Sequence, residues 1–225
     1  WVGFFVEGLL RALASQAAGR LELFAYPNHS RSDALGERIK ACCRGWRSAV
    51  GLSDQSLARL IHDDAIDILI DLSGHTAHNR LPMFAWKPAP VQVSWLGYLG
   101  TTGLAAVDYL IADRWTLPQS EEVHFSEKIW RLPESYVCFT APAVDLQVAA
   151  HRALGNGHIT FGCFNNLNKM NDAVVALWAR VLACVPDSRL FLKTKQFKEA
   201  SVRQSVLERF AAQGIEPGRL ILEGY

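Results

Sequence analysis

Ile159–Leu222, ITFGCFNNLNKMNDAVVALWARVLACVPDSRLFLKTKQFKEASVRQSVLERFAAQGIEPGRLIL, decides the fold class. Ile159 to Phe164 is a short apolar run with the character of a strand. Val174, Leu177, Trp178, Val181, Leu182 and Val185 then recur at three- and four-residue spacing, one apolar helix face that Pro186 stops. Arg189 to Lys193 reads as a second strand, Lys198 to Ala212 as a second helix, and Arg219 to Leu222 as a third strand. Strands joined through helices by short loops must run parallel, so the segment predicts a Rossmann-like sheet.

Working outward, the same rhythm occupies the first half. Phe5, Val6, Leu9, Leu10 and Leu13 mark a helix ending before Gly19, and Leu21 to Tyr26 alternates into a strand closed by Pro27. Asp33 to Cys43 reads as helix and Trp46 to Val50 as a short buried strand. Ser53 suits the cap of a helix bearing Leu57, Leu60 and Ile61, which leads to the β-branched strand Ile66 to Leu72. Val91 to Leu96, Val107 to Ala112 and Ile129 to Leu132 supply further strands. Pro133 to Gly157 loses all period, so the boundaries expected are a first domain at 1–145, a linker at 146–157 and a second domain at 158–225. The chain starts at Trp1 inside an apolar pattern and its second domain has three strands, which is the expectation for a fragment with both domains incomplete.

Composition narrows the function. Half the residues are apolar and 23 Lys and Arg stand against 22 Asp and Glu, so no broad cationic footprint for nucleic acid or anionic lipid exists. Five cysteines without a C-x-x-C pair indicate neither a disulfide framework nor a zinc site, which fits a reducing, cytoplasmic setting. No run reaches the length of a membrane span.

In parallel sheets, ligands bind beyond the carboxyl ends of the strands. Three segments belong there. Asp71 to Arg80 holds His75, Thr76 and His78, which suit either a polar site or an ordinary capped turn; two histidines without a third ligand do not make a metal site. Gly97-Tyr98-Leu99-Gly100-Thr101-Thr102-Gly103 offers close backbone approach and free amides, yet matches neither the dinucleotide fingerprint nor a Walker loop; a plain turn fits equally. Phe164 to Asp172 places Lys169 just ahead of a helix N-terminus, where its charge adds to the dipole and suits a diphosphate; a solvated lysine is the other reading. His62, at a helix end, either complements the dipole or belongs to a site, while His29, His124, His151 and His158 read as loop residues. Cys163 and Cys184 lie on apolar faces and read as core.

Taken together, Ile66–Arg80 (IDILIDLSGHTAHNR), Phe84–Gly103 (FAWKPAPVQVSWLGYLGTTG), Val107-Asp108-Tyr109, Tyr136 after Arg131-Leu132-Pro133, and Phe161–Lys169 (FGCFNNLNK) resemble the catalytic region of the O-linked N-acetylglucosamine transferase and Spindly family, in its bacterial tetratricopeptide-linked branch. Leu99 stands where the family's W-L-G-Y-P-G-T stretch has proline, which loosens that turn. The resemblance implies a GT-B glycosyltransferase that uses a nucleotide-sugar in the cleft between two Rossmann-like domains. It implies inverting transfer of N-acetylglucosamine from UDP-N-acetylglucosamine to protein Ser or Thr, with protein O-fucosylation from GDP-fucose or an inactive protein-binding module as alternatives. Lys169 would be the catalytic cation; Asn166, His75, Thr76, Gly97, Tyr98, Thr101 and Thr102 would contact substrate, with His62 a further site candidate. No metal or cofactor is implied, tetratricopeptide repeats are expected upstream, and the fragment alone is expected to be inactive. A nicotinamide-dependent dehydrogenase, which shares the α/β rhythm, lacks its glycine fingerprint here.

Overall fold

The computed structural model describes residues 2–30, 33–142, 144–145, 147, 155 and 157–225. Two compact units, 1–144 and 145–225, divide the chain. His151 and most of the expected 146–157 linker lie outside the described residues.

The first unit runs α1 (Gly3–Gln16), β1 (Phe24–Ala25), α2 (Ala34–Ala41), β2 (Gly45–Trp46), α3 (Asp54–Asp63), β3 (Ile68–Asp71), α4 (Leu81–Phe84), β4 (Val91–Ser94), β5 (Tyr109–Asp113) and β6 (Lys128–Leu132). β1 and β2 pair as one parallel sheet, and β3-β4-β5-β6 form another, parallel throughout. Two helices start where side-chain oxygens meet the orphan amides of a first turn: Asp33 Oδ1 accepts from Gly36 N at 2.7 Å and Ser53 Oγ from Ser56 N at 3.1 Å. α3 turns Leu57, Ala58 and Ile61 inward onto Leu69 of β3, Met83 and Phe84 of α4, Ala89 and Val107. Burial alternates along β3, with Leu69 and Asp71 inside and Ile68 and Ile70 outside, because successive side chains leave opposite faces.

The strand expected at Trp46 to Val50 shrinks to Gly45–Trp46 for a backbone reason. Arg47 N and Ala49 N still donate to Ala25 O and Pro27 O, both at 2.9 Å, but Pro27 has no N–H to return, so the ladder becomes one-sided.

The second unit contains β7 (Thr160–Cys163), α5 (Asp172–Cys184), β8 (Arg189–Lys193), α6 (Ala200–Ala211) and β9 (Leu220–Glu223), with its three strands parallel in the order β7-β8-β9. Leu190 and Leu192 of β8 pack against Val175, Ala179 and Leu182 of α5 and Val206 and Phe210 of α6; Phe197 and Phe210 have no exposed surface. The Arg219 guanidinium closes the end of α5, donating to Leu182 O at 2.9 Å and Val185 O at 3.2 Å, a cation where a helix leaves bare carbonyls. Cys184 departs from expectation: it is exposed and Cys163 is only partly covered. The buried positions 175, 179 and 182 define the inner face of α5, and Cys184 lies roughly 200° round from Leu182 at 100° per residue. Among the described residues no helix is long and apolar enough to cross a membrane.

Candidate functional site

Asp71 ends β3 with a buried carboxylate, whose Oδ1 accepts from Ser73 N at 3.1 Å and Oδ2 from Gly74 N at 2.7 Å. Those bonds curl the chain into the turn carrying His75 and Thr76. Burial pushes the Asp71 carboxyl above its usual range, opposed by the two amides. The loop after β4 lies directly on this turn. A Cβ on Gly97 would come within 2.1 Å of Leu72 O, and one on Gly74, at φ +53°, within 2.6 Å of Tyr98 Cβ. Only glycine permits that approach.

The contact brings five of the expected residues together. His75 Nε2 lies 3.1 Å from Thr101 O; a carbonyl only accepts, so Nε2 carries the proton and donates. The imidazole meets the half-exposed Tyr98 ring edge to face, with centroids 6.0 Å apart. Gly97 provides the close approach and Thr101 the carbonyl. Thr76 is exposed and donates to Ser73 O at 2.9 Å, closing its own turn. Thr102 differs: it is buried, and both its amide and its hydroxyl donate to Glu127 Oε1, so it anchors the loop from behind.

Glu127 is the residue that sequence reasoning missed. Its carboxylate is buried just before β6, and Oε2 accepts from Thr101 Oγ1 at 2.8 Å. Nothing in the sequence links it to Thr101, 26 positions earlier. Asp113, at the end of β5, is similar: Oδ2 accepts from Tyr136 N at 2.9 Å and Oδ1 from Trp115 N and Thr116 N, while Trp95 Nε1 donates to Tyr136 O at 2.8 Å. The Tyr136 amide, then the Thr116 amide, hold the Asp113 carboxyl below its usual range.

His62 stands apart from this group. It occupies the last turn of α3, which leads into the amino end of β3, whereas the His75 turn leaves the carboxyl end. Its Nδ1 faces Asp63 Oδ1 at 3.4 Å, beside a hollow lined by Gln55, Arg59, Trp86 and Lys87. That position suits complementation of the helix dipole. Among the described residues, no three His, Cys, Asp or Glu side chains gather as a metal site, so His75 and His78 gain no third ligand.

In the second unit, the loop after β7 passes through a 3-10 turn at Leu167–Lys169 before Asn171 caps α5, accepting from Val174 N at 2.9 Å. Asn166 Oδ1 accepts from Asn168 N at 3.0 Å and from Gln196 Nε2 at 3.2 Å, and Thr194 Oγ1 donates to Gln196 Oε1 at 2.7 Å. Gln196, also absent from the sequence reading, thereby ties the Asn166 loop to the loop after β8. Lys169 is exposed, and no acceptor takes its ammonium among the described residues. A pocket of about 240 Å³ opens at the carboxyl ends of β7 and β8, lined by Asn165, Asn166, Lys169 and Thr194 together with Met170, Val174, Trp178 and Phe197.

Parallel sheets with helices between their strands and polar loops gathered beyond the carboxyl ends define an α/β protein whose ligands belong at that edge. Residues 19–143 match the model of glycosyl transferase family 41, and the chain belongs to that family. It is similar to the "Probable UDP-N-acetylglucosamine--peptide N-acetylglucosaminyltransferase SPINDLY" of Petunia hybrida, at 40% identity over 98% of this chain and 24% of the relative. The relative named SEC in Arabidopsis thaliana is 31% identical over 89% of this chain and 21% of its own length. Among solved structures, a lysine-to-methionine mutant of the Thermobaculum terrenum O-GlcNAc transferase superposes with a TM-score of 0.89 at 35% identity, covering all of this chain and 42% of that one. The parallel α/β architecture is thus that of a GT-B O-GlcNAc transferase. The chain spans about a quarter of the length of the curated relatives it matches.

Proposed function

We propose that the full-length protein transfers N-acetylglucosamine from UDP-N-acetylglucosamine to Ser or Thr hydroxyls of proteins. The observation that carries this reading is the match of the whole chain, at 0.89 and 35% identity, to an O-GlcNAc transferase. The acceptor oxygen attacks the anomeric carbon and passes its proton to a base or to water, while the bond from that carbon to the diphosphate breaks on the opposite face, which inverts the centre. The electron pair leaves with UDP. Lys169 neutralises the charge growing there, a role supported by an ammonium that has no acceptor among the described residues and stands just ahead of a capped helix N-terminus. Asn166 helps place the donor, held by Gln196. His75, Thr76, Gly97, Tyr98 and Thr101 contact substrate, with Thr102 setting the loop. In this reading a lysine rather than a divalent cation balances the leaving group. Acceptor recruitment by upstream tetratricopeptide repeats and a cytoplasmic location belong to the same proposal.

The test is transfer by the full-length protein to a Ser/Thr peptide from labelled UDP-N-acetylglucosamine and from GDP-fucose, with and without EDTA. Transfer from the first, unaffected by EDTA, is expected. Transfer from GDP-fucose alone overturns the donor, and none from either leaves a protein-binding module.

A further inference from the structure

The turn holding His75 is itself held by a buried charge. Glu127 is 5% exposed and takes three donors: Thr102 N at 2.6 Å, the Thr102 hydroxyl, and Thr101 Oγ1 at 2.8 Å. Thr101 Oγ1 accepts in turn from Ser126 N at 3.2 Å and Gly103 N at 3.1 Å, so one carboxylate locks the glycine-rich loop to the start of β6. Burial alone would raise this carboxyl; the Thr102 hydroxyl and amide and the Thr101 hydroxyl more than offset it, so Glu127 stays ionised. The carbonyl of the residue so fixed, Thr101, receives the His75 Nε2 proton. In the neutral imidazole that bond leaves Nδ1 as the nitrogen with the lone pair.

We propose that Glu127 is a positioning residue: through Thr101 and Thr102 it fixes the carbonyl that sets the tautomer and place of the His75 imidazole. The proposal rests on the reading of the His75 turn as part of the transferase site, and it acts one step removed from any reacting atom. Its anchoring role is nevertheless measurable without turnover.

The experiment takes the full-length protein with Glu127→Gln, which keeps the shape but puts an NH₂ where Thr101 now donates. Thr101→Val, which removes only the hydroxyl link and keeps the carbonyl, serves as the milder second variant. Hydrogen exchange of the 98–104 amides should quicken about tenfold in both while the rest of the unit keeps its protection. With UDP-N-acetylglucosamine and a peptide acceptor, kcat should fall about tenfold at unchanged donor KM, and in a His75→Ala background Glu127→Gln should add nothing. Unchanged exchange at 98–104 overturns the proposal whatever the activity. Losses from Glu127→Gln and His75→Ala that multiply overturn it too, since Glu127 then acts independently of the imidazole. Quickened exchange with a His75→Ala protein of full turnover sustains the anchoring and removes His75 from the transferase reading instead.

Discussion

The turn carrying His75 and the turn carrying Lys169 occupy corresponding places, each beyond the carboxyl end of a parallel strand, yet they are built in opposite ways. Around His75 nearly every polar group is committed to the protein: Asp71 to two amides, Thr76 to Ser73 O, Thr101 and Thr102 to Glu127, the imidazole to a carbonyl. Around Lys169, Gln196 ties Asn166 and Asn168, Asn171 accepts from Val174 N and Arg209 donates to Met170 O, while the ammonium has no acceptor among the described residues. One turn is fixed by packing and internal bonds; the other presents an exposed cation. Substitutions in the first should therefore act on stability and geometry, and substitutions in the second on ligand and turnover.

Gly97→Ala should do the most damage. Its Cβ would fall 2.1 Å from Leu72 O and 2.7 Å from Ser73 Cα, backbone atoms that cannot swing aside. A cost of about 3 kcal/mol or more is expected, lowering Tm by roughly 6–12 °C in thermal unfolding. Gly103→Ala meets nothing within 4 Å, and its φ of +71° alone should cost about 1 kcal/mol. Equal effects at the two glycines would break the claim that the loops interlock.

Lys169→Ala should show the reverse signature. Turnover should drop about 10²-fold with donor KM nearly unchanged, as expected for a charge that matters most as the diphosphate leaves. Tm should stay within about 1 °C, because no group among the described residues loses a partner. A large fall in Tm would mean that the lysine serves the fold.

Acid should loosen the first unit. Asp113 and Glu127 have carboxyls held below their usual values, 3.8 and 4.5, so the stability they contribute is complete above those values and is lost as pH falls through the lower folded ones. Asp71, raised by burial, runs the other way and relieves a cost when protonated. The net expectation is a Tm that declines below about pH 4.5, with a shallower decline in Asp113→Asn, followed by circular dichroism. An unchanged acid limb in that variant would remove Asp113 from the account.

How far the sequence carried differs between the two turns for the same physical reason. The alternation β-α-β-α-β of the second unit is written in local period, and Lys169 stands in a loop whose helix start is marked by Asn171 four residues before Val175 turns inward. The His75 turn depends on contacts no local pattern encodes. Gly97 and Leu72 meet because β3 and β4 pair side by side, and Glu127 reaches Thr101 because β5 and β6 do. The glycines were visible as glycines, but the carboxylate that uses the loop was not.

The smallest effect is expected where apolar period misled. The spacing of α5 put Val174, Leu177, Trp178, Val181, Leu182 and Val185 on its inner face and Cys184 read as core; Leu182 is buried as expected, but its buried companions are Val175 and Ala179, and Leu177 is 54% exposed. Leu182→Ala should therefore cost about 2–5 kcal/mol by leaving a cavity under the sheet. Cys184→Ser, at the far side of the helix, should stay within about 0.5 kcal/mol, and its thiol should react with an aromatic disulfide reagent in the native protein. Carried out on the full-length protein, the pair also locates solvent. A Cys184→Ser cost near 2 kcal/mol, or a thiol that reacts only after unfolding, would show that the outer face of α5 is covered by some other part of the protein, and the wide apolar arc of this helix would then mark a second packing surface.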